Sequence, residues 1–154
     1  KEKADVILNE MEKDFADDVK ELLDLPEERA GGLMTTAIPM FLPSLSATEA
    51  LQKLKEEEEE LDLIYYSYIV DSTDNHLGVV SIRDLLIANP DTLLQDIMDD
   101  RIIAVNINAH KREIVDCFIK YAIIAIPVVD DDEKLKGAVL LKDIIEIIES
   151  KLGK

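Results

Sequence analysis

The sequence predicts a mixed α/β chain of the α+β kind: two β-α-β-β-α units packed together, preceded by a helix. Three observations predict it. The first is an internal repeat. Met34 pairs with Met98 at an offset of 64 residues, while Val70-Asp71, Gly78 and Asp84 pair with Val129-Asp130, Gly137 and Asp143 at an offset of 59. The second is the order of patterns inside each copy, where a helix-spaced apolar stretch precedes two strand-sized apolar runs separated by a polar turn. The third is size. A chain of 154 residues, 47% of them apolar, can bury a core, but a unit of roughly 55–60 residues buries little alone and must pack against its twin.

The elements follow in order. Val6, Ile7, Met11, Phe15, Val19, Leu22 and Leu23 recur near helical spacing over residues 4–25, and Pro26 with Gly31-Gly32 ends that helix. Residues 1–30 are therefore assigned to the end of a preceding helical domain, 31–95 to the first unit, and 96–154 to the second unit and the start of a connecting helix. The first unit has a short strand at 40–42 and a helix from Ala47 to about Leu61, capped by Ser46 with Glu49 at the third helical position. A strand at 64–70, a turn at 71–76, a strand at 77–81 and a helix from Arg83 complete it. The second unit has strands at 102–105, 123–129 and 135–140, with helices at 109–120 and 142–151. The five-residue difference between the two offsets is assigned to a longer, Glu-rich helix in the first unit.

Composition excludes several functions. With 17 Lys and Arg against 34 Asp and Glu, the formal charge is −17. Such a chain repels phosphate backbones and anionic lipid, so nucleic acid is not an expected partner and cations are. No apolar run reaches the ~18 residues a spanning helix needs, so this chain is not expected to insert into a membrane. Cys117, the one cysteine, lies in the apolar pattern Ile114, Val115, Cys117, Phe118; it reads as core, in a reducing compartment. His76 and His110 have no partner at transition-metal spacing. Neither Ser81 nor Cys117 has a basic partner in a nucleophile motif, so no catalytic residue and no enzyme activity are expected. The start, Lys1-Glu2-Lys3, has neither Met nor an apolar leader and reads as cut from a longer protein.

The strings Gly78-Val79-Val80-Ser81-Ile82-Arg83-Asp84 and Gly137-Ala138-Val139-Leu140-Leu141-Lys142-Asp143, each after a Val-Asp turn, resemble the cystathionine β-synthase (CBS) domain pair over about residues 31–152. The segment Leu25-Pro26-Glu27-Glu28-Arg29-Ala30-Gly31-Gly32-Leu33-Met34-Thr35, with Ile64-Tyr65-Tyr66 and Ser81-Ile82-Arg83-Asp84-Leu85, resembles more specifically the cytosolic region of the MgtE family of magnesium transporters. In that family a helical domain precedes the CBS pair and a five-helix membrane domain follows it. The resemblance implies that residues 4–25 are the last helix of that helical domain. It implies a soluble regulatory module at the cytoplasmic face of the cell membrane, a homodimer through the CBS pair, coupled to the membrane pore domain of its parent chain. Its regulatory ligand would be Mg2+, gating transport by rearranging the dimer. The alternative is a module whose primary signal is an adenine nucleotide such as ATP.

Two sets of candidate residues follow. The resemblance matches Tyr66, Arg83 and Asp84 to residues that relatives use for adenine nucleotides. Their chemistry is compatible: Gly78 and Ser81 end a strand that turns into a helix, where N–H groups and a hydroxyl suit phosphate oxygens. Arg83 can pair with phosphate, Asp84 can accept from ribose hydroxyls, and Tyr66 can pack on a base. The plainer reading is that Ser81 caps the helix and Asp84 favours its positive end. Leu140 replaces Ser81 in the second copy, so a second equivalent site is not expected. For the metal, Asp143, Glu146 and Glu149 stand at i, i+3 and i+6, near one helix face, with Glu10 or Glu21 as further candidates. Magnesium keeps several waters, so one or two carboxylates per ion suffice; the competing reading is a solvated acidic face. His110-Lys111-Arg112-Glu113 and Ala122 stand where relatives can carry acids, so some regulatory sites are expected to be missing or relocated. The glutamate run 56–60 reads mostly as solvated surface.

Overall fold

The computed structural model describes residues 28–151; the helix expected over 4–25, with Glu10 and Glu21, lies outside them. The first repeat comprises α1 (Ala30–Leu33), β1 (Met40–Phe41), α2 (Ala47–Glu57), β2 (Tyr66–Val70), β3 (His76–Ser81) and α3 (Ile82–Ile87). The second comprises α4 (Leu94–Ile97), β4 (Val105–Asn106), α5 (Lys111–Tyr121), β5 (Ala125–Val129), β6 (Leu135–Leu140) and α6 (Leu141–Lys151). Each repeat forms a three-stranded sheet, ordered β1-β2-β3 and β4-β5-β6. The outer pair is parallel and the hairpin antiparallel in both.

Local chemistry explains the helix starts. Ser46 Oγ accepts from the Glu49 N–H at 3.1 Å and Glu49 Oε1 accepts from the Ser46 N–H at 3.1 Å, the expected capping box. Ser81 and Asp84 form a second one, at 3.1 and 3.2 Å. Helix α5 is capped by His110, whose Nδ1 accepts from the Arg112 N–H, and ends at Ala122 in the left-handed region, φ 52°. One boundary differs in kind from expectation. Both central helices are 11 residues long, so the extra residues of the first repeat are not helix. They form a 3-10 turn, Glu58–Glu60, and the loop leading to β2. All of glutamates 56–60 are exposed, because consecutive charges cannot share one buried face.

The repeats are related by an approximate two-fold axis, and the chain crosses it. The Ala30 N–H donates to Ala109 O and the Gly31 N–H to Ile107 O; their counterparts run from Leu94 to Leu45 O and from Gln95 to Pro43 O. Thr35 pairs with Ala138 on β6, and Asp99 with Val79 on β3. Each repeat therefore lends its leading segment to the other's sheet. The hairpin turns meet near the axis, where Lys134 Nζ donates to Asn75 Oδ1 at 3.0 Å. Asp71 organises the first turn by accepting from the Thr73 and Asn75 N–H groups and from both their side chains; those bonds, Asn75's foremost, hold its carboxyl down at about 2.

Three apolar clusters result. Phe41, Ala50, Leu54, Ile69, Val80 and Leu85 fill the space between helices and sheet in the first repeat. Ile114, Val115, Phe118, Ile126, Val139 and Ile144 do so in the second, with Cys117 partly buried against them. The third lies between the sheets and draws on both repeats: Ile38, Tyr68, Val70, Val129, Leu135 and Leu140. This shared cluster is why neither unit needs to be stable alone. No described helix is long and apolar enough to cross a membrane.

Candidate functional site

A cleft of about 560 Å³ opens between the two repeats, a volume within the range of small-molecule sites. The first repeat supplies Tyr66 and Tyr68 from β2, His76, Val79 and Ser81 from β3, and Asp84 from α3. The second supplies Asp99, Arg101 and Ile103 from its leading segment, Tyr121 from the end of α5, Ile123 just before β5, and Ala125 and Pro127 along β5. Strand alternation accounts for most of this wall, since positions 66 and 68, 79 and 81, and 123, 125 and 127 each point to one face. His76 breaks the alternation. The hairpin register shifts so that Ile69 faces Gly78 while Val70 faces His76; the bulge brings His76 onto the side of Val79 and Ser81.

Of the residues singled out for a nucleotide, Tyr66, Ser81 and Asp84 meet in this cleft. Ser81 and Asp84 also cap each other, so the plain reading and the functional one share the same atoms. Gly78 and Arg83 are not among the lining residues. Gly78 is buried where a Cβ would meet Asp99 O at 2.7 Å and Met98 Sδ at 2.9 Å, and Arg83 is exposed at the start of α3. The cleft's cation is Arg101, whose guanidinium donates to both Asp99 oxygens at 3.1 and 2.8 Å. Hydrogen bonds from Arg101 hold the Asp99 carboxyl at about 2. Nothing in the local sequence marks Arg101, which reaches the site only because residue 99 pairs with residue 79 on β3. Tyr68 had a signal: it stands two residues after Tyr66 on the same strand face.

Two of the lining residues, Tyr68 and His76, carry buried polar atoms. Tyr68 is 1% exposed, and its hydroxyl has no hydrogen-bond partner. Its ring meets that of His76 edge to face, centroids 5.6 Å apart. Burial pushes the Tyr68 hydroxyl far up and the His76 imidazole down, so both are neutral near pH 7. His76 Nε2 lies 3.1 Å from Gly78 O; a carbonyl only accepts, so Nε2 carries the proton and Nδ1 is left as an acceptor. That Nδ1 is buried and also unpartnered. Unmet buried polar atoms cost about 1–3 kcal/mol each. Both belong to residues that line the cleft, but neither atom has surface open to it.

On the opposite side of the axis the matching positions are apolar. The counterparts of Tyr68, His76 and Ser81 are Pro127, Leu135 and Leu140, and the last two pack with Ile38 and Ala138 in the shared cluster. The carboxylates proposed for a metal lie elsewhere, along α6. Asp143 Oδ1 is 3.4 Å from its neighbour Lys142, and Glu146 and Glu149 are exposed. Among the described residues no three His, Cys, Asp or Glu side chains converge as a metal cage. Burial raises the Cys117 thiol, which suits a core residue.

Two interlocked β-α-β-β-α repeats with a ligand-sized cleft on one side of their axis define a paired α/β module whose site is built from both halves. The CBS domain model matches residues 30–91 and 94–150, and the chain belongs to that family. It is 35% identical over 136 residues to the magnesium transporter MgtE of Enterococcus faecalis, a match covering 88% of this chain and 30% of that protein. The chain thus spans about three-tenths of the length of this curated relative. The crystal structure of the soluble part of a magnesium transporter superimposes with a TM-score of 0.78 at 35% identity, covering 86% of this chain and 52% of that one. The cytosolic domain of the Mg2+ channel MgtE in complex with ATP gives 0.77 at 31% identity, covering 82% and 51%.

Proposed function

We propose that this chain is the cytosolic regulatory part of a magnesium transporter or channel, and that it acts by binding ligands rather than by catalysis. The observation that carries the reading is the match to the soluble part of a magnesium transporter over 86% of the chain. The acidic surface supports it, since crowded carboxylates repel and a divalent cation favours the arrangement that brings them together. The described residues do not close a cage around an ion. Asp143, Glu146 and Glu149 are therefore proposed as partial ligands, completed by a second copy or by segments outside residues 28–151. Exposed apolar side chains on the repeat-ending helices, Leu86 and Ile87 on α3 and Ile145 on α6, support a homodimer through these helices.

The test is thermal unfolding against magnesium at fixed ionic strength, with potassium as control. A saturable, magnesium-specific rise is expected, reaching about 2.7 kcal/mol at a hundredfold excess over Kd. A flat curve, or one that potassium reproduces, overturns cation sensing by this chain.

The cleft favours a second input, an adenine nucleotide. Its residues fit such a ligand: Tyr66 can stack on a base, Asp84 can accept from ribose, and Arg101 supplies a cation for phosphate. A bound nucleotide would supply an aromatic base and an anion that touch both repeats at once, tying their relative placement to occupancy. Asp84→Ala is expected to abolish nucleotide binding, read by calorimetry, while leaving the magnesium-dependent rise in melting temperature intact. Loss of both responses together would overturn the separation of the two inputs.

A further inference from the structure

We propose that Asp99 is a built-in competitor for the anion position of the cleft: it occupies the Arg101 guanidinium, and the phosphate of an entering ligand must displace it. The inference rests on the reading of the cleft as a nucleotide site and adds how that site admits phosphate. Of the described residues that line the cleft, Arg101 is the one Lys or Arg. Its Nε and Nη2 donate to the two Asp99 oxygens at 3.1 and 2.8 Å. A guanidinium fork grips a carboxylate and a phosphate through the same N–H groups, so Asp99 stands where a phosphate would bind. Both residues line the cleft, and their side chains are 85% and 44% exposed for Arg101 and Asp99, so a ligand there can reach them.

The first repeat shows that the fold does not need this carboxylate. Thr35 and Ala37 match Asp99 and Arg101 at the offset of 64 that relates Met34 to Met98. The two segments are held alike: Thr35 exchanges two backbone hydrogen bonds with Ala138, and Asp99 exchanges two with Val79. The turn after each is closed alike as well. Thr35 Oγ1 accepts from the Ala37 N–H at 3.1 Å, and Asp99 Oδ1 accepts from the Arg101 N–H at 3.0 Å. A hydroxyl therefore serves the turn as a carboxylate does. What the carboxylate adds is its grip on Arg101. Its backbone is pinned to β3, so Asp99 cannot follow Arg101 toward a ligand, and the guanidinium must exchange one partner for the other. An exposed pair of this kind is weak, so a dianionic phosphate can displace it, at a cost in affinity.

The experiment is calorimetric titration, at fixed ionic strength, of the wild-type chain, Asp99→Thr, Arg101→Gln and the double variant with AMP and with adenosine, which lacks the phosphate. Asp84→Ala is the control for the site itself, and circular dichroism melts confirm folding. Asp99→Thr installs the hydroxyl that the first repeat uses in its own turn; Asp99→Asn, which also keeps an acceptor there, repeats the test. Both are expected to bind AMP about three- to fivefold more tightly than the wild type, the worth of an exposed ion pair, with adenosine affinity unchanged. Arg101→Gln is expected to lose about tenfold in AMP affinity, and the double variant to match it. A gain that persists in the double variant reflects the removed negative charge alone and overturns the competitor. AMP binding that Asp84→Ala abolishes and the Asp99 variants do not tighten also overturns it, and leaves the nucleotide site standing. Folded proteins none of which binds AMP overturn the competitor and the nucleotide reading together.

Discussion

Gly137→Ala lowers the melting temperature by about 10 °C, the expected result of a loss of about 2–4 kcal/mol in a domain of this size. A Cβ at this position would press into the Thr35 carbonyl oxygen and reach within 3.0 Å of Met34 Sδ. The methionine can shift, but the carbonyl cannot move without loosening Thr35 from β6. Two hydrogen bonds hold it there, from the Ala138 N–H to Thr35 O at 3.0 Å and from the Thr35 N–H to Ala138 O at 2.9 Å. Gly78→Ala meets the related obstacle, Asp99 O at 2.7 Å, and costs less because the approach is looser. Gly32 is the control. Nothing lies within 4 Å of a Cβ there, and Gly32→Ala is expected to gain about 0.5 kcal/mol from helix propensity. The ranking is read from thermal melts of the three variants. A Gly137→Ala protein that melts with the wild type would show that residue 35 is not seated on β6 in solution.

The second large effect is an asymmetry. Lys111 is completely buried, and its Nζ lies 3.5 Å from Glu28 Oε2, too far for a hydrogen bond. Desolvating an ammonium for one long contact is a poor exchange, whereas removing its one countercharge among the described residues is worse. Lys111→Met is therefore neutral or stabilising by about 1–2 kcal/mol. Glu28→Ala costs about 3 kcal/mol, because the ammonium stays buried without a partner. The double variant returns close to Lys111→Met. Urea melts of the four proteins give the cycle, and equal losses in the two single variants would sink the argument. The first repeat supports it, since Ala47 occupies the matching position and is itself buried. What the pair does at its position is hold the chain entering the first repeat against the start of α5.

Repeat periodicity was enough to place the elements, because helix and strand spacing, the Val-Asp turns and the Ser46-Glu49 box are local properties. It misplaced the five extra residues. A run of glutamates has helical propensity, and no local signal shows that the helix stops at Glu57 and tightens into a 3-10 turn. Tyr66, Ser81 and Asp84 could be found as a site because they belong to one repeat's motif. His76 could not, because only a hairpin bulge turns it inward. Arg101 could not, because it comes from the other repeat.

The sequence by itself determined that this chain is two copies of one unit, that they must pack together, and that only the first copy carries the Ser81 hydroxyl. Those are matters of pattern, size and residue type. The tertiary structure decided how the copies interlock. Offsets alone align Met34 with Met98 and Gly78 with Gly137, but in three dimensions the partners cross, Met34 against Gly137 and Met98 against Gly78. The physical reason is that a missing Cβ makes room for whatever segment reaches it, and the segment is chosen by the two-fold packing of the sheets. That packing also builds a cleft from both halves, lined by Tyr68, His76 and Ser81 where the matching positions of the other repeat are Pro127, Leu135 and Leu140.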